Sequence, residues 1–285
     1  MILAFVFIAY KFSDVRVRDF FSLQIRPIFI LLVLFFAVIN WLLETKKWQI
    51  LITPLENLRW QKALKAVLIG VSLGIFTPNR IGEIGGRALV LNSQNRSKAA
   101  LLTSIGSLLQ LSITIIFGLI SLYFLIKEFS DLVIKKFLPL SIYFVIILLI
   151  FILLAFFIFR KKQFYIPLSK LGTNRIFIAF ILSLIRYIVF LLQFYLILKF
   201  LAVEISFIES SLAISAVFLV INLIPNFVIS DLGIRSGLIV LFLGHFSTNT
   251  IAIGIAPLLL WVINLFLPSL FGYWLFLREN TLVFV

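Results

Sequence analysis

The sequence predicts an all-α integral membrane protein that forms a single membrane domain over residues 1–285. Apolar residues make up 63% of the chain and charged residues only 13%, and the mean hydropathy is +1.21. A soluble domain of this composition could not solvate its surface. The apolar runs are long and continuous, as in membrane-spanning helices, whereas a membrane β-barrel would show short alternating strands.

The composition also excludes several kinds of site. The chain has no cysteine, so disulfides and thiolate metal sites are absent, and a single histidine, His245, cannot form a multi-histidine metal site. No Walker, Gly-x-Ser-x-Gly or His-Glu-x-x-His motif occurs. The net charge of +14 is typical of basic loops facing anionic lipid, which we favour over nucleic-acid binding. We therefore predict no catalytic residue, metal, cofactor or nucleic-acid partner.

The spanning segments are predicted from apolar runs long enough to cross a bilayer. Four carry no charge, and a fifth carries Arg186 near its middle; the runs are 27–43, 99–126, 137–159, 251–277 and 176–198. Segment 2–9 is apolar but too short to span, and it lacks the features of a signal peptide. We expect it to be the tail of a first transmembrane helix that begins before Met1.

Two similar polar stretches follow apolar arms that are too short to span. The first reads Thr77-Pro-Asn-Arg-Ile-Gly-Glu-Ile-Gly-Gly-Arg87, and the second reads Ile224-Pro-Asn-Phe-Val-Ile-Ser-Asp-Leu-Gly-Ile-Arg235. Both contain Pro-Asn and then acid-x-Gly-x-Arg. Short arms broken by Gly and Pro, in matching positions of two halves, indicate re-entrant hairpins of an inverted-repeat transporter.

The predicted architecture is therefore about six transmembrane helices plus two re-entrant hairpins, 66–91 and 210–244. The two halves, about 1–126 and 137–285, would be inverted because each holds an odd number of spans. Placing 44–65, 92–98, 160–175 and the C-terminus in the cytoplasm puts most Lys and Arg there. The basic loop 11–26 opposes this orientation. The polar stretch 44–65 is expected to be a loop, with Trp41, Trp48 and Trp60 as interfacial anchors.

The two stretches supply a candidate headgroup site. On a helix, Glu83 can pair with Arg87 and Asp231 with Arg235, because residues four apart share a face. A helix restarting after the turn directs free N–H groups to the same place, which together with arginines suits a phosphate. The predicted headgroup-binding residues are Arg80, Glu83, Arg87, Arg186, Asp231 and Arg235. The predicted turn residues, which break the arms or leave backbone open, are Pro78, Gly82, Gly85, Pro225 and Gly233.

Structural interpretations remain open for these residues. Each acid–Arg pair could neutralise itself and hold a helix break without binding a ligand, although two matching copies favour function. Arg186 could snorkel or bind neighbouring carbonyls instead of a ligand. His245 is interpreted as an interfacial residue, and Asn222 and Asn264 as interhelical hydrogen-bonding residues rather than ligand contacts.

The first stretch resembles the Pro-x-Arg-x-Gly-Glu-x-x-Arg signature of the lysylphosphatidylglycerol synthase transmembrane (flippase-like) family. Asp231-Leu-Gly-Ile-Arg235 is similar to that family's second signature, and Trp261-Val-Ile-Asn-Leu-Phe-Leu-Pro268 resembles its last helix. The matching positions are Pro78, Arg80, Gly82, Glu83 and Arg87, then Gly233 and Arg235. Two departures are Ser236, where the family often has Glu, and the absence of an aminoacyl-transfer domain from these residues.

The resemblance implies a multi-pass protein of the bacterial cytoplasmic membrane that moves phospholipid between leaflets. The expected substrate is an anionic or aminoacylated phospholipid, and a separate lipid-modifying enzyme is an expected partner. Two alternatives stay open: an ion-coupled secondary transporter of a small anionic solute, and a membrane transferase acting on a polyprenyl-phosphate lipid. The pairing of each motif carboxylate with an arginine disfavours the transferase.

Overall fold

The computed structural model describes residues 25–128, 171–223, 228–244, 246–247 and 249–283, with the backbone alone at 126–128, 223, 228–232 and 279–283. Within these ranges the regular structure is helical. The α-helices are α1 (Ile28–Ile52), α2 (Trp60–Ile75), α3 (Gly82–Leu89), α4 (Arg96–Glu128), α5 (Thr173–Phe200), α6 (Phe207–Leu223), α7 (Val228–Leu243), α8 (Thr250–Trp261) and α9 (Leu267–Val283). Two 3₁₀ turns, Pro78–Arg80 and Ser93–Asn95, and a π-helical turn, Val262–Phe266, complete them.

Four helical segments of the described part are long and apolar enough to cross a membrane: Ile28–Ile52, Ser93–Leu125, Thr173–Phe200 and Thr250–Arg278. They contain four of the predicted runs, and so the prediction of an all-helical membrane protein is confirmed. The predicted run 137–159 and segment 2–9 lie outside the described residues.

Helices α1, α4 and α5 form an antiparallel core. The Arg26 N–H donates to the Phe200 carbonyl over 2.8 Å, and Gln193 Nε2 donates to the Val33 carbonyl over 3.1 Å, so the start of α1 lies beside the end of α5. On α4, the Thr103 hydroxyl accepts from the Trp48 indole at 2.9 Å. This arrangement brings the middle of α5 against the second half of α1.

Helices α2 and α3 form a helical hairpin, and α6 and α7 form a second one. The loop before α2 follows the Ile52 end of α1, where Pro54 disfavours further helix. The loop before α6 lies at the other end of α1, because Glu204 pairs with Arg26 at 2.5 Å. The hydrogen bond from Arg26, together with Lys199, lowers the pKa of the Glu204 carboxyl. The two hairpins thus begin at opposite ends of α1.

The prediction that 44–65 is a loop was wrong at both ends, since α1 runs to Ile52 and α2 begins at Trp60. Helix α1 continues to Ile52, so Glu44, Lys47 and Trp48 lie within it. Trp48 is only 1% exposed and is therefore a core residue, not an interfacial anchor. The charged side chains ended the apolar run in the sequence, but buried partners on other helices allow the helix to continue through them.

Candidate functional site

The tip of the first hairpin is a tight turn organised by Thr77. Its hydroxyl donates to the Gly74 carbonyl at 3.0 Å and accepts from the Gly82 N–H at 2.8 Å. Asn79 and Arg80 follow Pro78 with φ of 47° and 59°, in the left-handed region that costs side-chain-bearing residues energy. The turn therefore already engages the first N–H of α3, one of the helix-start N–H groups that were predicted to face a ligand.

Glycines allow α2 and α3 to approach closely. A Cβ on Gly86 would lie 2.8 Å from the Gly70 Cα, and a Cβ on Gly70 would lie 2.6 Å from the Arg87 Cγ. A Cβ on Gly82 would collide with the Leu73 carbonyl, which explains why the predicted turn residue is glycine. A Cβ on Gly85 would meet nothing within 4 Å, so the close contact with the neighbouring helix is made by Gly86, while Gly85 faces open space.

The predicted Glu83–Arg87 pair is present within α3. Arg87 Nη2 lies 3.3 Å from Glu83 Oε2, and Arg80 forms an ion pair with the other carboxylate oxygen of Glu83. Arg80 is partly exposed, whereas the Arg87 side chain is buried. Arg87 also reaches beyond its own helix.

Glu44 of α1 is the centre of the charge network. Its carboxylate accepts from Arg87 Nη1 at 2.6 Å, pairs with Lys47 Nζ at 2.7 Å, and accepts from Arg186 Nη1. The side chains of Glu44 and Lys47 are 6% and 2% exposed. A buried carboxylate surrounded by three cations is held in its charged form, and each cation in turn depends on it.

Arg186 extends from the middle of α5 into this network. Its Nε donates to Asn40 Oδ1 at 2.9 Å, and its Nη1 also donates to Gln110 Oε1 at 3.3 Å. The planar guanidinium therefore joins α1, α4 and α5 at once. Of the interpretations open for Arg186, snorkelling does not describe this geometry, because its partners are the Glu44 carboxylate and the amide oxygens of Asn40 and Gln110.

Arg235 brings the second stretch to the same place. It lies on α7, and its guanidinium carbon stands 4.8 Å from the ring centroid of Phe218 on α6, within range of a cation–π interaction. Gly233 lies two residues earlier on α7 and is half-buried. The Asp231 side chain and Pro225 lie outside the described residues, and so does His245.

These side chains line one cavity of about 520 Å³. Its walls come from α1, the first hairpin, α4, α5, the second hairpin and the helices after it. The predicted residues Arg80, Glu83, Arg87, Arg186 and Arg235 all line it. Charged residues of the lining that the sequence did not predict are Glu44 and Lys47, and uncharged polar ones include Asn40, Ser107, Gln110 and Thr114.

Several buried donors of the cavity lining have no hydrogen-bond partner among the residues that the structure describes. They are the indole N–H groups of Trp41 and Trp261 and the Nε–H groups of Arg80 and Arg87. Buried N–H groups without partners are costly, and acceptor oxygens of water or of a ligand would satisfy them. Phosphate has this chemistry and also forms charge-assisted hydrogen bonds with arginine.

A break in helical regularity places Asn264 at the cavity. Pro268 has no N–H to donate to the carbonyl four residues earlier, that of Asn264, and the preceding turn, Val262–Phe266, is π-helical. Asn264 Nδ2 donates to Gln193 Oε1 at 2.7 Å, which confirms the interhelical bond predicted for Asn264. For Asn222 that prediction was wrong, since its amide donates to Phe218 of the same helix at 2.7 Å.

Sequence reasoning missed Glu44 and Lys47 because it ended α1 at Leu43. Their spacing of three residues, directly after an apolar run, was the available signal. Ser107, Gln110 and Thr114 show another such signal, since they recur every three or four residues and so share one face of α4.

Comparison with known proteins gives one result. No curated protein and no solved structure matches the chain significantly. Residues 1–272 match the family described as the lysylphosphatidylglycerol synthase TM region. This match covers nearly the whole chain and agrees with the signature residues that line the cavity. The chain therefore belongs to the lysylphosphatidylglycerol synthase transmembrane-region family, of which it comprises the membrane domain.

Proposed function

We propose that the protein is a lipid translocase that moves an anionic or aminoacylated phospholipid headgroup across the bacterial cytoplasmic membrane. The observation that carries the proposal is the convergence of both arginine-bearing stretches on one cavity, together with Arg186 from the middle of a membrane-length helix. Insertion of an arginine at the middle of a membrane span costs about 2.5–3.5 kcal/mol even on lenient scales. Arginines at that depth are therefore expected to be paired with anions or to serve a function.

In the proposed mechanism the phosphate occupies the cavity while the acyl chains stay in lipid. Arg80, Arg87 and Arg235 bind the phosphate, and Arg186 and Glu44 hold Arg87 in position. Without such a polar path, the charged headgroup would face hydrocarbon unpaired. The cavity must then open sideways between helices, with apolar side chains at its mouth.

The proposed architecture has about six spans and two re-entrant hairpins in inverted halves. It is supported by the two hairpins beginning at opposite ends of α1 and by Asn79 of one and Asn222 of the other lining the same cavity. An inverted repeat of this kind places its binding site where the broken helices meet. Opposite entry would let each hairpin tip close the cavity toward one side of the membrane.

Reconstitution into vesicles tests the proposal. Fluorescent phosphatidylglycerol should equilibrate between leaflets faster with the wild type than with Arg87→Gln. The matched control is Arg59→Gln, since Arg59 is exposed and lies away from the cavity. It should translocate at the wild-type rate. Equal translocation rates for the wild type and for folded Arg87→Gln would contradict the proposal that the protein is a lipid translocase. Binding of free phosphate without lipid movement would then favour the solute transporter.

A further inference from the structure

We infer that the cavity selects headgroups whose net charge is negative and rejects the same headgroup once it carries an ammonium group. This inference narrows the substrate class of the proposed translocase and rests on that function. It commits to phosphate-bearing anionic lipids over aminoacylated ones, and three features of the described residues lead to it.

The first feature is the excess of positive charge around the cavity. Five cationic residues line it, against two carboxylates, Glu44 and Glu83, which leaves three positive charges in excess among the described residues. The cations are Lys47, Arg80, Arg87, Arg186 and Arg235. If the sequence's Asp231 is counted as a third carboxylate, two positive charges still remain. In a site shielded from water, such an excess attracts an anion and repels a cation.

The second feature is that both carboxylates are already occupied. Glu44 is engaged by Lys47, Arg87 and Arg186, and Glu83 by Arg80 and Arg87. An incoming ammonium group could reach either carboxylate only by displacing one of these cations. Because the displaced guanidinium would itself be left without its anion, the exchange is unfavourable.

The third feature is the kind of polar atom left without a partner. On residues lining the cavity, four N–H groups, those of Trp41, Trp261, Arg80 and Arg87, have no hydrogen bond to any described residue. The acceptors lacking one are Asn264 Oδ1 and Glu83 Oε1, and the latter lies in the ion pair with Arg80. Donors therefore outnumber acceptors. Phosphate oxygens can satisfy donors, whereas an ammonium group can only donate.

The selectivity arises from repulsion of the ammonium group as well as from attraction of the phosphate. The cavity, at about 520 Å³, lies within the range of pockets that hold small molecules, so its volume does not by itself exclude a modified headgroup. Discrimination must then come from charge. A lipid and its lysyl ester have the same acyl chains and the same phosphate and differ by one amino acid. A comparison of the two therefore measures the effect of headgroup charge alone.

The test compares fluorescent phosphatidylglycerol with its lysyl ester, on identical acyl chains, in vesicles holding the wild-type protein. We expect phosphatidylglycerol to cross about tenfold faster or more. Equal or faster crossing by the lysyl ester overturns the inference and leaves the translocase intact. If neither lipid crosses faster than in protein-free vesicles, the proposed translocase function is wrong.

In that last case, a measurement of lipid binding still tests the inferred selectivity. Short-chain phosphatidylglycerol should raise the unfolding temperature of the detergent-solubilised protein, and its lysyl ester should not. If both raise it equally, or neither does, the inference is wrong. This measurement needs no transport, so failure of the selectivity and failure of the translocase give different results.

A charge reversal at the hairpin tip provides the second variant. Arg80→Glu removes one cation, frees Glu83 of a partner and adds a carboxylate at a partly exposed position, so folding should survive. The preference for phosphatidylglycerol should fall about tenfold or reverse. The matched control, Arg59→Glu, makes the same change of charge away from the cavity and should keep the wild-type preference. An unchanged preference in folded Arg80→Glu contradicts the inference.

Discussion

Glu44 connects the largest number of charges in the described part of the protein. It holds Lys47 of its own helix, Arg87 of the first hairpin and Arg186 of α5. Buried ion pairs add little stability compared with well-packed apolar residues, but the loss of one partner leaves the others uncompensated. Glu44 is therefore more important for keeping three cations at membrane depth than for binding the ligand directly.

We predict that Glu44→Gln destabilises the protein by about 3–5 kcal/mol, because Lys47, Arg87 and Arg186 lose their shared anion. Thermal unfolding in detergent measures the loss. The double variant Glu44→Gln/Lys47→Met removes a cation together with the anion, so it should recover part of the stability. A Glu44→Gln protein as stable as the wild type would show that the cluster has another source of negative charge.

At the scale of elements, the first hairpin depends on close backbone contact between α2 and α3. The side chains of Glu83 and Arg87 pass over Gly74 and Gly70, where a Cβ would lie 2.5 and 2.6 Å from their respective Cγ atoms. Small residues in such positions let membrane helices approach closely. The hairpin thereby presents both charged side chains in fixed positions.

Gly85 and Gly86 of α3 offer a matched pair of alanine variants for which we expect opposite changes in stability. Gly86→Ala places a methyl group 2.8 Å from the Gly70 Cα, so overpacking should cost about 1–3 kcal/mol and lower transport. Gly85→Ala meets nothing within 4 Å and should stabilise the helix by about 0.5–1 kcal/mol. Unfolding temperatures and translocation rates measure both effects. Equal behaviour of the two variants would show that the hairpin packing does not position Arg87.

At the scale of the whole molecule, the two hairpins begin at opposite ends of α1. This arrangement predicts from which side of the membrane introduced cysteines can be labelled. The chain contains no native cysteine, so each introduced cysteine is a unique probe. With an impermeant thiol reagent, Asn57→Cys and Asn92→Cys should react from the cytoplasmic side and Ser206→Cys from the other. Ile81→Cys, at the first hairpin tip, should be shielded from both. Rapid labelling of Ile81→Cys from the outer side would instead show that the first hairpin spans the membrane.

Local periodicity explains which features could be predicted from the sequence. Long apolar runs show the helices, because a bilayer requires about twenty apolar residues per span. The Glu83–Arg87 pair could be predicted because residues four apart on a helix share a face. Pro-Asn marked the first turn, since few residues other than Asn tolerate the positive φ of Asn79, and the glycines marked the close contacts of α2 with α3.

What the sequence determined by itself is thus the membrane class, most of the helices and the charged residues of the two matching stretches, all of which depend on neighbours along the chain. Only the tertiary structure decided that Glu44 and Lys47 are site residues, that Gly86 rather than Gly85 makes the close contact, and that Arg186 pairs with Glu44. Arg186 was already a predicted headgroup-binding residue, but its partner could not be predicted, because Arg186 and Glu44 are 142 residues apart in sequence. No local pattern specifies such a pair, because the contact arises from the packing of α1 against α5, which buries both charges and makes each require the other.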